Sequence, residues 1–212
     1  MSIADLRRQY TLTGLHERDL DSSPFKQFEK WFQQALSAEL LDTNAMTLAT
    51  ASREGKPSAR VMLLKDFDET GFVFFTNYAS RKGRELDENP YAASVFFWAE
   101  LERQVRINGK VSRISREESE EYFHSRPAGN QLGAWASYQS EVIGEPAELE
   151  NRMKELESRY EGRTIPMPPN WGGFLLSPDT FEFWQGRPNR LHDRLRYTLL
   201  AEGQWRIERL SP

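Results

Sequence analysis

Residues 45–77 read AMTLATASREGKPSARVMLLKDFDETGFVFFTN, and this stretch decides the fold class. Three short runs rich in β-branched, aliphatic and aromatic residues are separated by the polar pieces REGKP and DETG, which have the composition of tight turns. Short strands joined by tight turns favour antiparallel pairing of consecutive strands. We therefore expect an antiparallel meander formed by residues 45–52, 58–67 and 71–77.

Helical patterns lie on both sides of these strands and further along the chain. Residues 22 to about 41 place aromatic and aliphatic side chains at helical spacing behind a serine and a proline, which predicts an amphipathic helix with a buried aromatic face. Further helices are predicted from Ser80, from a capping box that opens at Ser115, and at residues 145–162. No element is predicted for the glycine-containing residues 128–140.

The remaining strand patterns complete the fold prediction. They lie at residues 91–99, 103–115, 174–186, 193–200 and 204–210. Strands occur in groups with helices inserted between them, rather than in strict alternation with helices. This order predicts a mainly β protein with peripheral α-helices, built as an antiparallel barrel or sheet. No repeat or linker interrupts residues 1–212, so we expect a single domain.

Composition and missing motifs exclude several classes of function. The 212 residues carry a formal net charge of −4, with a pI near 5.6. We therefore do not expect the protein surface as a whole to attract nucleic acid or an anionic membrane. There is no cysteine, which excludes disulfides and thiolate chemistry. No G-x-G spacing or Walker sequence occurs, and the three histidines are scattered, so neither a dinucleotide site nor a metal site is expected. The first residues have no signal-peptide core, and we expect a cytoplasmic protein.

Four groups of residues are candidate anion sites, because arginine and lysine suit phosphate or carboxylate. They are Arg60 with Lys65 at the two ends of a strand, Thr76, Ser80, Arg81 and Lys82 at a helix start, Tyr122 with Arg126 one helical turn apart, and Arg190, His192 and Arg194 behind Trp184. The alternation of the last three predicts that they share one side of an extended segment. The spacing of Arg60 and Lys65 predicts opposite faces of a regular strand. For the first three groups, plain surface charge stays open as an alternative.

Seven motifs, in order along the chain, resemble those of the pyridoxine 5'-phosphate oxidase family. They are RVMLLK, TNYASRKGREL, LERQVRINGK, YFHSRP, WASYQS, WGGF and EFWQGRPNRLHDR. The resemblance extends from about residue 6 to residue 212. It implies a split β-barrel homodimer with FMN at the subunit interface. The implied reaction oxidises pyridoxine or pyridoxamine 5'-phosphate to pyridoxal 5'-phosphate, with dioxygen as electron acceptor and hydrogen peroxide as by-product.

The resemblance also implies a set of site residues, some of them contributed by the second subunit. FMN would contact Arg60, Val61, Met62, Leu63, Leu64, Lys65, Phe75, Thr76, Arg81, Lys82, Gln104, Gln139, Ser140, Trp184 and Arg194. The substrate would contact Arg7, Arg8, Gln9, Tyr10, Lys65, Tyr122, Arg126, Asn130, Arg190, Leu191 and His192. Arg190 and His192 would align the substrate for reaction. The N-terminal contacts would belong to a mobile segment, about residues 1–20, that covers the site.

The chain departs from the family pattern at two positions. Asn130 replaces a common serine, so we expect altered phosphate affinity, and Phe75 replaces a frequent tyrosine, so a phenol hydrogen bond is lost. Two other classes of function stay open. A related split-barrel reductase would keep the flavin motifs but lack RLHDR and the pair Tyr122 and Arg126, whereas a noncatalytic carrier or nucleic-acid binder would release no peroxide.

Overall fold

The computed structural model of this chain describes residues 2–6 and 9–212. Within these residues nine strands form one antiparallel sheet, flanked by five α-helices. The strands are β1 (Ala45–Ala51), β2 (Pro57–Leu63), β3 (Asp66–Asp68), β4 (Gly71–Asn77), β5 (Tyr91–Trp98), β6 (Arg103–Arg113), β7 (Trp171–Gln185), β8 (Asp193–Leu199) and β9 (Trp205–Leu210). The helices are α1 (Pro24–Ser37), α2 (Arg81–Glu88), α3 (Arg116–Ser125), α4 (Ala128–Ala136) and α5 (Pro146–Tyr160).

The long strand β7 organises the sheet because it has different partners along its length. β6 pairs with one edge of nearly the whole strand. Along the other edge, β4 pairs with residues 171–176 and β8 with residues 180–185. The strand order is β2-β1-β5-β6-β7-β4-β3, with β8 and β9 continuing from the second half of β7. The sheet therefore curls and divides at the middle of β7, which confirms the expected split barrel with peripheral helices.

The predicted meander is correct only in part, because its two hairpins form but lie at opposite ends of the strand order. β1 and β2 pair as expected, but the other neighbour of β1 is β5, and β4 pairs with β7. The strand predicted at residues 58–67 breaks after Leu63, and β3 forms a separate hairpin with β4. Turn sequences determine hairpins between adjacent strands, but they carry no information about which distant strand covers a free edge.

Helix α1 packs on one face of the curled sheet through the aromatic face that its spacing predicts. The ring of Phe28 is fully buried, and its centroid lies 5.0 Å from those of Phe67 and Phe96 and 4.9 Å from that of Phe72. Burial of one such ring contributes about 2–3 kcal/mol. The helix ends at Ser37, earlier than predicted, because Glu39 adopts a left-handed φ of 51°.

A second apolar cluster holds α3 and α4 against the start of β7. Phe123 of α3, Leu132 of α4 and Trp171 are buried in it together. α4 was not predicted from the sequence because its two glycines indicate a loop. Leu132 and Ala136 nevertheless recur at helical spacing and are both buried, and this burial outweighs the cost of about 1 kcal/mol for each glycine.

In the part of the chain that the structure describes, no helix has the length and apolar character needed to cross a membrane. The same residues contain no group of three histidine, aspartate or glutamate side chains placed to hold a metal ion. The single-domain organisation and the cytoplasmic location stay predictions.

Candidate functional site

A cavity of about 640 Å³ opens between β4, α3 and α4. Its volume is typical of small-molecule sites, which range from about 300 to 1,000 Å³. Polar and cationic side chains from separate motifs meet here beside aromatic rings. The predicted site residues that line it are Met62, Lys65, Phe75, Thr76, Tyr122, Arg126, Asn130 and Gln139.

Three stacked aromatic rings form one wall of the cavity. The ring of Phe75 lies 3.9 Å from that of Tyr122 at an interplanar angle of 21°, and the ring of Trp171 lies 5.4 Å from that of Phe75. The stack fixes the orientation of the Tyr122 ring, so its hydroxyl has little freedom to move. Trp171 was not among the predicted site residues, although the motif WGGF contains it and an aromatic residue at a strand start is a usable signal.

Arg126 lies at the end of α3, with its guanidinium carbon 4.8 Å from the ring centroid of Trp171. One terminal nitrogen, Nη1, is buried and has no acceptor among the described residues. Burial lowers the pKa of Arg126, and the nearby Tyr122 partly offsets this effect. Arg126 also lines the cavity, where an anionic ligand would offset the charge of its guanidinium group. Tyr122 and Arg126 therefore meet at one site, as their helical spacing predicts.

Lys82 is a buried cation whose hydrogen-bond partners are neutral. Its Nζ donates to Thr76 Oγ1 at 3.0 Å and to Gln139 Oε1 at 3.3 Å. Among the described residues no carboxylate pairs with it. Burial, with a smaller contribution from the charge of Arg60, lowers its pKa to about 8. A desolvated ammonium group with only neutral partners favours an anion as its ligand.

The start of α2 gathers further cations around this lysine. Ser80 caps the helix by accepting the Gly83 N–H, and the backbone N–H of Arg81 donates to Ser140 Oγ at 3.2 Å. The side chains of Arg81 and Arg60 both reach Glu85, at 2.8 and 3.5 Å. Glu85 was not among the predicted site residues, and its usable signal is its position four residues after Arg81 on the same helix face.

The side chains from Arg60 to Lys65 point towards different parts of the protein. Arg60 turns its guanidinium towards α2, and Leu64 is buried in the core. Lys65 follows the end of β2 and lines the cavity. Val61 and Leu63 point to the face of the sheet turned away from α1, where they are 68% and 41% exposed. Because β2 ends at Leu63, Arg60 and Lys65 do not lie on one regular strand, and the prediction from their spacing does not apply.

Three other residues expected to contact FMN form a row on the face of the sheet turned away from α1. Gln104 of β6 lies opposite Trp184 of β7, which lies opposite Arg194 of β8. Residues directly opposite each other on antiparallel strands point to the same face. Arg194 is fixed there by Glu182, to which it donates at 2.8 and 3.1 Å. Phe97 extends the row and is 58% exposed.

The segment behind Trp184 forms a turn and not the extended segment predicted. Pro188–Arg190 is a short 3-10 helix in which Asn189 and Arg190 have φ values of 56° and 61°, and β8 begins only at Asp193. The predicted alternation is therefore wrong, because proline and asparagine favour a tight turn here. Arg190 and its neighbour Leu191 are exposed at this turn.

His192 packs against Trp184 with ring centroids 4.6 Å apart. Its Nδ1 accepts the backbone N–H of Arg187 at 3.1 Å, so a neutral ring carries its proton on Nε2. Burial lowers the pKa of His192, and the charge of Arg190 lowers it further. Both effects favour the neutral ring, which leaves Nε2–H as a hydrogen-bond donor.

The N-terminal segment is held by two buried carboxylates. Glu102 accepts the backbone N–H groups of Thr11 and Leu12 at 2.9 and 3.0 Å, and Asp193 accepts that of Leu15 at 2.9 Å. These bonds attach the segment to the end of the sheet that carries the turn at residues 188–190. The predicted cover over the site stays a prediction.

Four N-terminal residues were expected to contact substrate, and the structure describes two of them. The ring of Tyr10 packs edge-on against Trp184 and His192, with centroid distances of 5.5 and 5.4 Å. Gln9 is exposed. Arg7 and Arg8 lie outside the described residues.

The predicted site residues thus form two groups within one chain. We call the first the cavity group (Lys65, Thr76, Tyr122, Arg126, Asn130 and Gln139) and the second the tryptophan group (Tyr10, Gln104, Trp184, Arg190, His192 and Arg194). Trp171 beside the first and Trp184 in the second are separated by about 40 Å along β7, at roughly 3.3 Å per residue. No hydrogen bond, ion pair or ring contact between described residues joins the two groups.

Two family models match successive parts of the chain. A family model described as pyridoxamine 5'-phosphate oxidase matches residues 32–160, and one described as the pyridoxine 5'-phosphate oxidase C-terminal dimerisation region matches residues 171–212. Pyridoxine/pyridoxamine 5'-phosphate oxidases of Nostoc sp. and Paraburkholderia phymatum are 61% and 57% identical to this chain over 211 residues, covering 100% of it and 99% of each relative.

Two solved structures are similar in fold. PhzG from Burkholderia lata, in complex with tetrahydrophenazine-1-carboxylic acid, has a TM-score of 0.90 at 30% identity and covers 97% of this chain and 100% of its own. A pyridoxamine 5'-phosphate oxidase-related, FMN-binding protein from Nostoc punctiforme has a TM-score of 0.71 at 18% identity and covers 91% of this chain and 100% of its own.

Proposed function

Because the chain belongs to the pyridoxine/pyridoxamine 5'-phosphate oxidase family, an oxidoreductase family, we propose that it converts pyridoxine 5'-phosphate and pyridoxamine 5'-phosphate to pyridoxal 5'-phosphate with FMN. Dioxygen is the final electron acceptor, hydrogen peroxide is the by-product, and the amine substrate also releases ammonia. This reaction belongs to the synthesis and salvage of vitamin B6. The observation that carries the proposal is that Lys65, Tyr122 and Arg126, from separate motifs, line one cavity.

The start of α2 is the proposed site of the FMN phosphate. When bound, FMN supplies the acceptor for the hydride that leaves carbon C4' of the substrate. Thr76, Arg81 and Lys82 meet at a helix N-terminus, which attracts anions through its free N–H groups and its dipole. The neutral surroundings of Lys82 support this fit, because a phosphate would give the buried ammonium its missing counter-charge.

The substrate phosphate is assigned to the far side of the same cavity. Arg126 and Lys65 supply positive charge, while Tyr122 and Asn130 supply neutral donors. The stack of Phe75 on Tyr122 holds the phenol in place before substrate arrives. With two phosphates fixed at separate points, the rings of the two molecules are held in position to react.

The tryptophan group is proposed to complete the site of a second copy of the chain. About 40 Å of strand separates it from the cavity group within one chain. The sheet face turned away from α1 exposes the apolar side chains of Val61, Leu63 and Phe97, a composition suited to contact between copies. The match of residues 171–212 to a dimerisation region supports the same assembly, a homodimer with FMN at the interface.

In this assembly Arg190 and His192 orient the substrate ring. His192 presents Nε2–H as a donor, since Nδ1 is occupied by the backbone of Arg187. Arg190, exposed at its turn, adds a cationic donor that reaches beyond its own chain. Tyr10 packs on His192 and shields this end of the site from water.

The likeness to PhzG raises an alternative, a substrate that carries a carboxylate in place of a phosphate ester. The higher identity to relatives named for phosphorylated substrates favours the phosphate. The motif RLHDR and the pair Tyr122 and Arg126 favour it as well.

Anaerobic absorption spectra test the proposed reaction. Adding pyridoxine 5'-phosphate to the purified protein should bleach its flavin bands, and admitting oxygen should restore them with release of peroxide. Unphosphorylated pyridoxine should react far less readily. Arg126→Ala should lower kcat/KM for the phosphorylated substrate by about 100-fold with FMN retained, because it removes a buried charged hydrogen bond.

The surface variant Arg159→Ala is the matched control, since Arg159 also lies over an aromatic ring but is exposed on α5. It should leave the reaction unchanged. If the flavin stays oxidised after anaerobic addition of substrate, the proposed oxidase activity is contradicted. A noncatalytic carrier would then be the remaining interpretation.

A further inference from the structure

Glu85 is a buried carboxylate directly beside the proposed phosphate site. Its side chain is 8% exposed. Oε2 accepts the hydroxyl groups of Thr50 and Ser58, both at 2.5 Å, and Oε1 accepts Arg81 Nε at 2.8 Å. The carboxylate therefore ties α2 to the hairpin of β1 and β2.

The two arginines that meet Glu85 differ in how many of their donors are occupied. Both terminal nitrogens of Arg60 donate to protein atoms, including the Thr50 and Ser58 hydroxyls at 2.6 and 2.5 Å. Arg81 is held only through Nε, and no described residue accepts from its terminal nitrogens. Glu85 thus holds Arg81 through Nε, and the two terminal nitrogens of Arg81 remain available to a ligand.

The charges of Glu85 and of the three cations of the proposed phosphate site do not balance without a ligand. Arg60, Arg81 and Lys82 supply three positive charges against the one negative charge of Glu85, and the net value of about +2 matches a phosphate monoester dianion. Burial alone would raise the pKa of Glu85, but hydrogen bonds from Ser58, Thr50 and Arg81 outweigh it and hold the pKa at about 2. The carboxylate is therefore ionised at neutral pH.

We propose that Glu85 is a positioning residue that acts as the resident counter-ion of the phosphate site. It holds the cations together in the FMN-free protein, and its negative charge weakens the binding of the FMN phosphate. This inference rests on the proposed FMN-dependent function. Glu85 therefore raises the stability of the FMN-free protein but lowers its affinity for FMN. The lower affinity eases release and exchange of the cofactor.

Glu85→Gln tests the proposal with two readouts of opposite direction. Glutamine keeps the size of the side chain, can accept from Arg81 and can donate to a hydroxyl group. The melting temperature of the FMN-free full chain should fall by about 3 °C, because the cations lose their counter-ion. The dissociation constant for FMN, measured by quenching of FMN fluorescence, should fall by about five- to tenfold, because one repulsive charge is gone.

Asp87→Asn is the matched control on the same helix. It removes the same charge, but Asp87 forms an exposed ion pair with Arg113 at 2.8 Å. Such pairs contribute little and are screened by solvent. We expect a change of less than about twofold in the dissociation constant for FMN.

The outcomes separate the inference from the proposed function. If Glu85→Gln lowers the melting temperature and also weakens FMN binding, or changes neither, Glu85 is not the proposed counter-ion. A variant that folds only with FMN present agrees with the proposal, and one that stays unfolded with FMN present overturns it. If the unaltered chain binds no FMN, the proposed function itself fails.

Discussion

Lys82 links the proposed flavin site to pH through a single buried side chain. Its ammonium group lies among neutral acceptors, and burial lowers its pKa to about 8. Glu85, with a pKa of about 2, and the guanidinium groups of Arg60 and Arg81 keep their charges through this pH range. Lys82 is therefore the member of this cluster that titrates near neutral pH.

We predict that FMN binds most tightly between about pH 7 and pH 8, where the phosphate is a dianion and Lys82 is protonated, and progressively more weakly above pH 8. The FMN phosphate is already a dianion there, since its second pKa is about 6. Above pH 8 the FMN-free protein loses the Lys82 proton, and binding must restore it, so the dissociation constant should rise by up to about tenfold per pH unit. Fluorescence titrations between pH 7 and pH 10 measure this slope.

Lys82→Arg is the control for that titration, because arginine stays protonated throughout. The variant should bind FMN with little dependence on pH over the same range. An equally steep loss of affinity in Lys82→Arg would assign the effect to another group.

The residues that sequence reasoning found and missed differ in a physical way. Arg126 was found because it lies one helical turn from Tyr122, and Lys82 because cations at a helix start indicate an anion site. Glu85 was missed because an acidic residue contradicts such a site until its contacts with both arginines are seen. The interpretation of Arg190 as part of an extended segment failed because local turn formation outweighed alternation.

Among the helices, α3 has a predicted cap at its start and two predicted substrate contacts at its other end. Its capping box was predicted from the sequence and is present, with Ser115 Oγ accepting the Glu118 N–H at 3.1 Å and Glu118 Oε2 accepting the Ser115 N–H at 3.0 Å. The other end of the helix carries Tyr122 and Arg126 into the cavity. The cap therefore supports the substrate side of the proposed site.

We predict that Ser115→Ala destabilises the protein by about 1 kcal/mol, the usual cost of losing such a cap. The melting temperature should fall by about 2–4 °C for a chain of this size. Ser37→Ala is the control, because that hydroxyl only bonds back to Gln33 O within α1. If Ser37→Ala lowers the melting temperature as much as Ser115→Ala does, the cap makes no special contribution to stability.

Elements with strong local signals were predicted well, and those set by tertiary contacts were not. α1, α2, α3 and α5 have caps or periodic apolar faces, and the structure contains all four. α4 was missed because burial of Leu132 and Ala136 stabilises it despite its glycines. The pairing of β4 with β7 lies outside any local signal, since the partner strand begins almost a hundred residues later.

For the whole molecule, patterns and spacing predicted an antiparallel barrel or sheet but not how the site is divided. The motifs occur in one chain, yet the structure separates the cavity group from the tryptophan group by about 40 Å of strand. Only the family resemblance implied that a second subunit supplies part of the site. The central claim is therefore that each complete site combines the two groups from different copies.

Co-expression of two inactive variants tests this claim directly. Arg126→Ala disables the cavity group, and Arg190→Ala disables the tryptophan group. If the groups combine across chains, a mixed dimer has one site with both defects and one site with neither. Random pairing of equal amounts should then restore about a quarter of the activity of the unaltered protein, since half of the dimers are mixed and each has one intact site of two. A co-expressed sample no more active than the two variants measured separately would show that each site is built within one chain.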